Sequence, residues 1–356
     1  MLKQISLLIL CAAAIVCFAT PVQACTSAVV SGKVTPDGRP LLWKNRDTDF
    51  MQNHIDYVKG EKYNFIAVVN SANAYLKEAW MGTNSSGFAL MNTQSYNLVD
   101  VKGDEERGAA NGRVIYRALE VCATVEDFCH FLDTISKPSD IEANFGVIDA
   151  QGGAAMFEVD YYKYVMYDAN NPKDAPYGYI ARTNFSFAGK VNEGAGYVRY
   201  MEADQVLMKA SATGSITPQF IFNDLSRSFR NRMLDIDLRS GAYNRPQASG
   251  WFVDQDFIPR SSTSCSVVVQ GVKPGEKAEL TTMWTLLGYP PTGIAVPLWV
   301  KDAGKLLPGM VRFGKEYEAA LLSDWSLRLA DRVFSYKQGM GLSLIHISEP
   351  TRRVVI

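Results

Sequence analysis

The chain has 356 residues, 47% of them hydrophobic and 21% charged, with 27 glycines and 15 prolines, which excludes a disordered chain, a collagen-like chain and a small disulfide-packed peptide. Its 36 basic and 37 acidic residues give a formal net charge of −1. The chain therefore lacks the overall positive field that holds nucleic acids or anionic membranes.

Residues 1–24 have the features of a secretory signal peptide. An apolar run from Ile5 to Phe18 follows Lys3, and the segment ends in Val22-Gln23-Ala24, a small-x-small pattern that signal peptidase accepts. The run is too short to span a membrane as a helix. We therefore expect cleavage after Ala24, a mature chain that begins at Cys25, and a secreted or periplasmic location.

Short β-rich segments bounded by turn residues dominate the remainder. We predict strands at residues 26–33, 41–45, 65–70, 88–91, 145–149, 154–159, 162–167, 179–183, 265–270 and 294–300. Two helical blocks interrupt them. The first covers residues 112–135 and breaks at Thr124, which stands three residues before Asp127 as an N-cap does.

The second block covers residues 197–210 and 217–229, with Pro218 in a first helical position. A last helix is predicted over residues 315–336, and its stripe of Tyr317, Leu321, Trp325 and Leu329 is interpreted as core packing. Blocks of strands and helices in this order predict two sheets covered by helices in one α+β domain.

The last segment, residues 341–356, looks like a translated sequencing adapter, and we leave it out of the fold argument. A natural, poorly ordered C-terminus is the alternative. A single domain over residues 25–340 is then expected.

Cysteines and histidines are few. The mature chain keeps Cys25, Cys122, Cys129 and Cys265, too few for a disulfide framework and without the spacing of a zinc site. They are interpreted as buried thiols apart from Cys25, although a pair that includes Cys265 stays open. The histidines His54 and His130 are interpreted as surface or packing residues, and His346 lies in the last segment.

A secreted chain that begins with cysteine has two explanations. Cys25 is either a lipid attachment point or an N-terminal nucleophile whose own α-amine serves as its base. Unperturbed, the amine titrates near pKa ~8 and the thiol near ~8.5, so proton transfer between them needs no histidine. Gln23 is unusual before a lipidated cysteine, and a strand is predicted directly after Cys25 where a lipid anchor usually has a flexible tether. Both features favour the nucleophile.

Seven short motifs then follow in order. They are Cys25-Thr26-Ser27, Asp37-Gly38, Lys44-Asn45-Arg46-Asp47, Gly82-Thr83-Asn84-Ser85-Ser86-Gly87-Phe88, Asn92, Thr183-Asn184 and Arg199-Tyr200. Their order resembles the N-terminal nucleophile cysteine hydrolases, a group that contains choloylglycine (bile salt) hydrolases, penicillin V acylases and acyl-coenzyme A:6-aminopenicillanic acid acyltransferases. The resemblance runs from Cys25 to about Val300 and implies a four-layer αββα sandwich.

The resemblance implies a role for each of four residues. Cys25 would be the nucleophile and Asp47 would hold its α-amine. Asn184 and Arg199 would complete the site. The alternatives are a turn residue at Asn184, a surface ion pair at Arg199 and an ion pair of Asp47 with a nearby cation.

Asn92 would be an oxyanion donor, because a side-chain N–H can stabilise the charge of a tetrahedral intermediate. Asn84 and Gln94 are alternatives for that role, and Asn92 as a simple turn residue is a further one.

Lys44 and Arg46 are the candidate substrate-binding residues. Bile salt hydrolases have arginine where this chain has Lys44, and Arg46 could substitute for it. Strand alternation should send Lys44 and Arg46 to one face of the sheet and Asn45 and Asp47 to the other. Lysine lacks the planar fork of arginine. Bile acid specificity is therefore doubtful, and the chain resembles the acyltransferase-like branch of the family more closely.

We therefore expect a secreted amidohydrolase that cleaves a linear amide C–N bond through a Cys25 acyl-enzyme and needs no metal or other cofactor. Its binding partner would be a small-molecule amide substrate: an N-acyl amino acid, a penicillin-like compound or a conjugated bile salt. The alternatives are a dipeptidase of the related cysteine family and a lipid-anchored, non-catalytic protein; a homo-oligomer stays open. Pocket shape would depend on aromatics that include Phe50, Tyr96, Trp251 and Phe252.

Overall fold

The computed structural model describes residues 24–100, 108–240, 251–253, 256–301, 310, 320–339 and 342–347. Its strands, numbered along the chain, are β1 Cys25–Val30, β2 Leu41–Asp47, β3 Asn53–Val58, β4 Phe65–Asn70, β5 Met81–Asn84, β6 Ala89–Gln94, β7 Ala143–Ile148, β8 Ala154–Val159, β9 Tyr164–Asp168, β10 Tyr179–Arg182, β11 Arg230–Asn231, β12 Ile236–Asp237, β13 Trp251–Val253, β14 Thr263–Gln270, β15 Thr282–Leu287, β16 Ala295–Leu298, β17 Phe334–Gly339 and β18 Leu342–Ile347.

Most strands belong to two large antiparallel sheets. One has six strands in the order β10-β1-β2-β14-β15-β16, and the other has seven in the order β3-β4-β5-β6-β7-β8-β9. The seven-stranded sheet is a meander whose consecutive strands are neighbours. In the six-stranded sheet, β2 lies between β1 and β14, so a strand from late in the chain completes the neighbourhood of Cys25.

Helices α1 Asn111–Val121 and α2 Val125–Thr134 cover the outer face of the seven-stranded sheet. Helices α3 Tyr197–Ala212 and α4 Pro218–Phe220, with a π-helical turn at Ile221–Leu225, cover that of the six-stranded sheet. A further helix, α5 Leu321–Val333, contributes Val333 to a separate cluster with Tyr289. Phe128 and Leu119 of α2 and α1 are buried in one cluster with Phe145 of the seven-stranded sheet. Leu207 of α3 is buried with Trp43 of the six-stranded sheet.

The two sheets pack on each other through a third cluster. Val29 and Leu42 of the six-stranded sheet are buried there with Met91 and Met156 of the seven-stranded sheet. The layers are therefore helix, sheet, sheet and helix, and the predicted αββα sandwich is confirmed.

The first helical block is as predicted. Thr124 caps α2: its hydroxyl accepts from the Asp127 backbone N–H, and the Asp127 carboxylate accepts from the Thr124 N–H. This reciprocal pair stabilises the start of α2, so the chain ends α1 and begins a new helix there.

The last predicted helix is partly wrong. It is present over Leu321–Val333, residues 334–336 belong to β17 instead, and residues 315–319 lie outside the described residues. Trp325 and Leu329 are 61% and 37% exposed, so the predicted stripe does not form core, while Ser326 is buried. A Cβ on Gly288 would lie 2.4 Å from that of Ser326, so the backbone of the neighbouring turn leaves room only for a small side chain on this face. Tyr317 lies outside the described residues.

Several strands escaped prediction, β3, β5 and β15 among them. The alternation of β3 is hard to recognise because His54 and Asp56 interrupt its apolar residues, and β5 has four residues that include Gly82.

A small third sheet pairs β13, β18 and β17. Its strand β18 lies in the segment left out of the fold argument, while residues 348–356 and the predicted signal up to residue 23 lie outside the described residues. The limits of the predicted domain and the foreign origin of the tail stay predictions. No helix in the described ranges is long and apolar enough to cross a membrane.

Candidate active site

Cys25 is the first residue of β1 and is only 6% exposed. Its backbone N–H donates to Oδ1 of Asn184 at 2.9 Å, and its carbonyl accepts from Nη1 of Arg199 at 2.5 Å. Its Sγ lies 3.9 Å from the carbonyl oxygen of Asp47. Two of the predicted site residues thus hold both polar backbone atoms of the predicted nucleophile.

Asn184 has its side-chain amide fixed in one orientation. Arg199 Nη2 and the Cys25 N–H both donate to it, so the atom that receives them is the oxygen. Its Nδ2 donates in turn to the carbonyl of Gln94 at 2.8 Å. Asn184 therefore accepts a hydrogen bond from Cys25, and its amide NH2 group donates to Gln94 instead.

Arg199 is fully buried on α3. Besides Cys25 and Asn184, it donates from Nη1 to Oγ1 of Thr26 at 3.0 Å and from Nε to Oδ1 of Asp256 at 3.1 Å. A Cβ on Gly196, the residue before the helix, would lie 2.3 Å from Nη2 of Arg199. Glycine at that position, with φ of +84°, makes the space that the guanidinium occupies.

Asp47 ends β2 and is buried. Its Oδ1 accepts from the hydroxyl of Thr263 at 2.6 Å, next to a register shift between β2 and β14, while its Oδ2 has no hydrogen-bond partner among the described residues. Burial raises the pKa of Asp47 to about 6, against the opposing effect of Arg199. The structure shows no contact between this carboxylate and the nitrogen of Cys25, which here is still joined to the buried Ala24.

Lys44 and Arg46 face the inter-sheet layer on the side of the Cys25 thiol. Cys25 pairs with Arg46 across β1 and β2, and directly paired residues share a face. Asn45 points to the opposite side, where its Nδ2 donates to the carbonyl of Ser226 in the helical layer. Lys44, Asn45 and Arg46 thus alternate as predicted, whereas Asp47 lies at the register shift between β2 and β14.

Lys44 lies within a polar niche of the inner layer. Its Nζ donates to Oδ1 of Asn92 at 2.9 Å and to the carbonyl of Trp80 at 3.1 Å. Burial lowers the pKa of Lys44 to about 8, although the nearby Cys25 opposes that shift. An amine with such a pKa is charged at neutral pH yet close to its titration.

Arg46 is held by neutral oxygens. Its Nη1 donates to Asn53 at 2.7 Å, its Nη2 donates to Asn70 at 2.9 Å, and its guanidinium carbon lies 4.6 Å from the ring centroid of Trp80. Burial lowers its pKa. Arg46 is therefore a locked positive charge beside the thiol, with less freedom than Lys44 to meet a substrate.

The described hydrogen bonds link Asn92 to Lys44 and not to Cys25. Because the lysine can only donate, it fixes Oδ1 of Asn92 and leaves the amide N–H groups of Asn92 as possible donors. Asn84 serves another purpose: its Nδ2 donates to the carbonyls of Leu119 and Cys122, and its Oδ1 caps the following turn. Gln94 contributes its backbone carbonyl to Asn184, as described above.

The remaining cysteines are free thiols. Burial raises the pKa of Cys122 to about 12 and that of Cys265 to about 11. Cys265 pairs with Arg46 from the side opposite to Cys25, so one strand separates the two thiols. His54 is buried and its Nδ1 lies 3.1 Å from the hydroxyl of Ser71.

Three site residues have no counterpart in the sequence prediction as functional groups: Thr26, Asp256 and Thr263. Thr26 belongs to the Cys-Thr-Ser motif and could have been noticed there, whereas no motif marks Asp256 or Thr263. Of the predicted pocket aromatics, Phe50 is 41% exposed. Tyr96 is half-buried, and the side chains of Trp251 and Phe252 lie outside the described part of the structure.

These layers, with a buried cysteine at the start of an inner strand, define a protein of the N-terminal nucleophile hydrolase class. The profile of the family described as acyl-coenzyme A:6-aminopenicillanic acid acyl-transferase matches residues 34–210, about half of the chain. The matched part of the chain thus carries the acyl-transferase family profile, on the helix-sheet-sheet-helix sandwich of the N-terminal nucleophile hydrolases. The match includes Asp47, Asn184 and Arg199 and begins after Cys25.

Solved structures show weaker likeness. A mutant of the conjugated bile acid hydrolase from Clostridium perfringens is 14% identical, with 78% of this chain and 93% of that chain covered and a TM-score of 0.45. Penicillin V acylase from Agrobacterium tumefaciens is also 14% identical, with 78% and 86% covered and a TM-score of 0.41. Because both scores are below 0.5, the fold assignment depends on the layers described above. A comparison with curated protein sequences returned no match.

Proposed function

We propose that this protein is a secreted cysteine amidohydrolase that cleaves a linear amide C–N bond through an acyl-enzyme on Cys25. One observation carries the proposal: two buried side chains, Asn184 and Arg199, clamp the backbone N–H and carbonyl of Cys25. A residue with only a structural role in a strand would make these bonds to neighbouring strands. The clamp instead comes from side chains 159 and 174 residues away in the sequence.

Removal of residues 1–24 would turn the Cys25 nitrogen into an α-amine at the position where Asn184 accepts. The amine takes the thiol proton, and the thiolate attacks the substrate carbonyl to form a tetrahedral intermediate. The C–N bond then breaks as the proton passes from the amine to the leaving nitrogen. Water attacks the resulting thioester, gives a proton back through the amine, and releases the acid and the free thiol.

The charges around Cys25 support this sequence of steps. Lys44 fixes Oδ1 of Asn92, and within the described ranges the amide N–H groups of Asn92 donate to no other group, which makes Asn92 the best candidate for a donor to the oxyanion. Asp47 has a buried oxygen without a partner, and an α-ammonium at Cys25 would supply one. Lys44 rather than Arg46 is the cation proposed to meet an anionic group of the substrate, because three neutral oxygens already hold Arg46.

Acyl transfer is a second candidate activity, since the matched family is named for an acyl-transferase. It differs only in the last step, where an amine replaces water at the thioester. The lipid-anchor alternative is disfavoured because Cys25 is buried and begins a strand, whereas a lipidated thiol must reach the membrane.

The test begins with the mass of the exported protein's N-terminus, because a lipid on Cys25 would block the amine that catalysis needs. The mature protein is then assayed on N-acyl amino acids, conjugated bile salts, penicillin V and dipeptides, with and without an added acceptor amine. Cys25→Ala should abolish turnover and leave thermal unfolding unchanged, whereas the buried control Cys122→Ala should stay active. Turnover by a pure Cys25→Ala protein would end the proposal.

A further inference from the structure

Asp256 is linked to Cys25 through Arg199, which contacts both residues, and Asp256 lies on the solvent side of Arg199. Its Oδ1 accepts from Nε of Arg199 at 3.1 Å and lies 3.4 Å from Nε of Arg260. The side chain of Arg199 is fully buried, whereas that of Asp256 is one-third exposed. Within the described ranges, Asp256 is the carboxylate that forms an ion pair with Arg199.

The other hydrogen bonds of Arg199 with described residues go toward the candidate nucleophile. Nη1 donates to the carbonyl of Cys25 and to Thr26, and Nη2 donates to Asn184. A guanidinium is planar, so a bond at Nε fixes the direction in which both Nη atoms point. The hydrogen bond to Asp256 therefore helps to set the orientation of the Arg199 guanidinium beside Cys25.

The backbone of Asp256 gives an independent observation. Its φ of +57° lies in the left-handed region, which costs energy for residues other than glycine and is more accessible to Asp and Asn than to most. Such conformations persist where the surroundings hold them, often at functional sites. At Asp256 the carboxylate meets two arginines, Arg199 and Arg260.

We propose that Asp256 is a positioning residue for amide cleavage, which holds Arg199 in the orientation that fixes Asn184 and the carbonyl of Cys25. The proposal rests on the proposed function. Loss of the carboxylate would loosen the alignment of the α-amine and the thiol, but it would leave Lys44 on the other side of Cys25 untouched. Asp256 should therefore affect kcat and spare KM.

The test compares two substitutions that both tolerate the left-handed backbone. Asp256→Gly removes the carboxylate, and Asp256→Asn keeps an oxygen that can accept from Arg199. We expect kcat on the best amide of the panel to fall about tenfold or more in Asp256→Gly and by less in Asp256→Asn, with KM nearly unchanged, as for loss of a hydrogen bond to a charged group. Asp235→Gly is the matched control, because Asp235 has a φ of +50° and an exposed carboxylate 3.7 Å from Arg230.

A second readout needs no substrate. The rate at which iodoacetamide alkylates Cys25, followed by peptide mass, reports how well the α-amine activates the thiol. It should be lower in Asp256→Gly than in wild type and unchanged in the Asp235→Gly control. In an Arg199→Met protein, adding Asp256→Gly should have no further effect, since Asp256 acts through Arg199.

Normal kcat and normal alkylation in Asp256→Gly would overturn the positioning role and leave the proposed function intact. Independent, additive effects of Asp256→Gly and Arg199→Met would overturn it as well. If no amide is hydrolysed by the wild type, the proposed function fails, and the alkylation rates alone decide whether Asp256 positions the clamp. Should Asp256→Gly not fold, Asp256→Asn carries the same comparison.

Discussion

Asp47→Asn distinguishes the protein before and after the bond between Ala24 and Cys25 is cut. While the bond is intact, Asp47 is a buried carboxyl whose one hydrogen-bond partner among the described residues is Thr263, and burial raises its pKa from 3.8 to about 6. A shift of about two pKa units corresponds to about 3 kcal/mol in the free energy of unfolding.

The sign follows from the direction of the shift. A carboxyl whose pKa is raised in the folded protein contributes stability that is fully present below its unfolded pKa, here 3.8, and is lost as the pH rises through about 6. Asparagine has a similar shape and does not titrate. The uncleaved Asp47→Asn protein should therefore exceed the uncleaved wild type in stability by up to about 3 kcal/mol near neutral pH, and this gain should shrink toward the acid end of that window.

Cleavage should reverse the effect. An α-ammonium at Cys25 would give the Asp47 carboxylate a cationic partner, so the substitution should no longer stabilise the protein and should abolish turnover. Urea unfolding of cleaved and uncleaved forms, at an acid and a neutral pH, measures both effects. Asp49→Asn is the control, because Asp49 is an exposed carboxylate two residues away. An equal change in stability for cleaved and uncleaved forms would refute the pairing of Asp47 with the amine.

Three further outcomes are expected. Asn184→Ala and Arg199→Met should each lower kcat by about tenfold or more, and losses below about threefold at both, no larger than for the exposed control Lys173→Ala, would show that neither orients the nucleophile. One extra residue before Cys25, verified by intact mass, should abolish turnover because an amide cannot take the thiol proton; equal rates would rule out the amine as base. Burial lowers the pKa of Lys44 from 10.5 to about 8. The free energy of unfolding of the wild type should therefore rise by up to about 3 kcal/mol as the pH rises from about 8 to 10.5. Urea unfolding of Lys44→Met should lack that gain, and a parallel pH dependence in both proteins would contradict the shift.

The fold could be predicted where hydrophobic pattern and turn chemistry agree. Thr124 and Asp127 stand at the spacing of a capping box, and the helix begins there. The packing predicted for the last helix was wrong, because its apolar stripe was assumed to face the core. On α5 the Gly288 turn approaches Ser326 closely and buries it, while Trp325 stays exposed. That constraint comes from a distant segment and has no signature in the helix itself.

Only those residues of the candidate site that belong to a sequence motif could be predicted. Asn184 and Arg199 meet Cys25 through tertiary contacts, and motif order indicated them where local pattern could not. The direction of the Asn184 hydrogen bond differs from that of an oxyanion donor, because Arg199 and Cys25 both present N–H groups to it. Asp256 lies 57 residues beyond Arg199 and outside every motif, so only the folded chain brings it to the site.

If the proposed function is right, cleavage of the bond before Cys25 during export would also create the active site. Because Cys25 both begins β1 and has its backbone N–H held by Asn184, cleavage one residue earlier would leave an amide in that place. Cleavage one residue later would remove the thiol. Only a cut after Ala24 would place an amine, the clamp of Asn184 and Arg199, and the thiol in one site. On the proposed mechanism the enzyme would stay inactive until it is exported. Asp47, whose buried Oδ2 has no partner in the part of the chain that the structure describes, would then pair with the new α-amine.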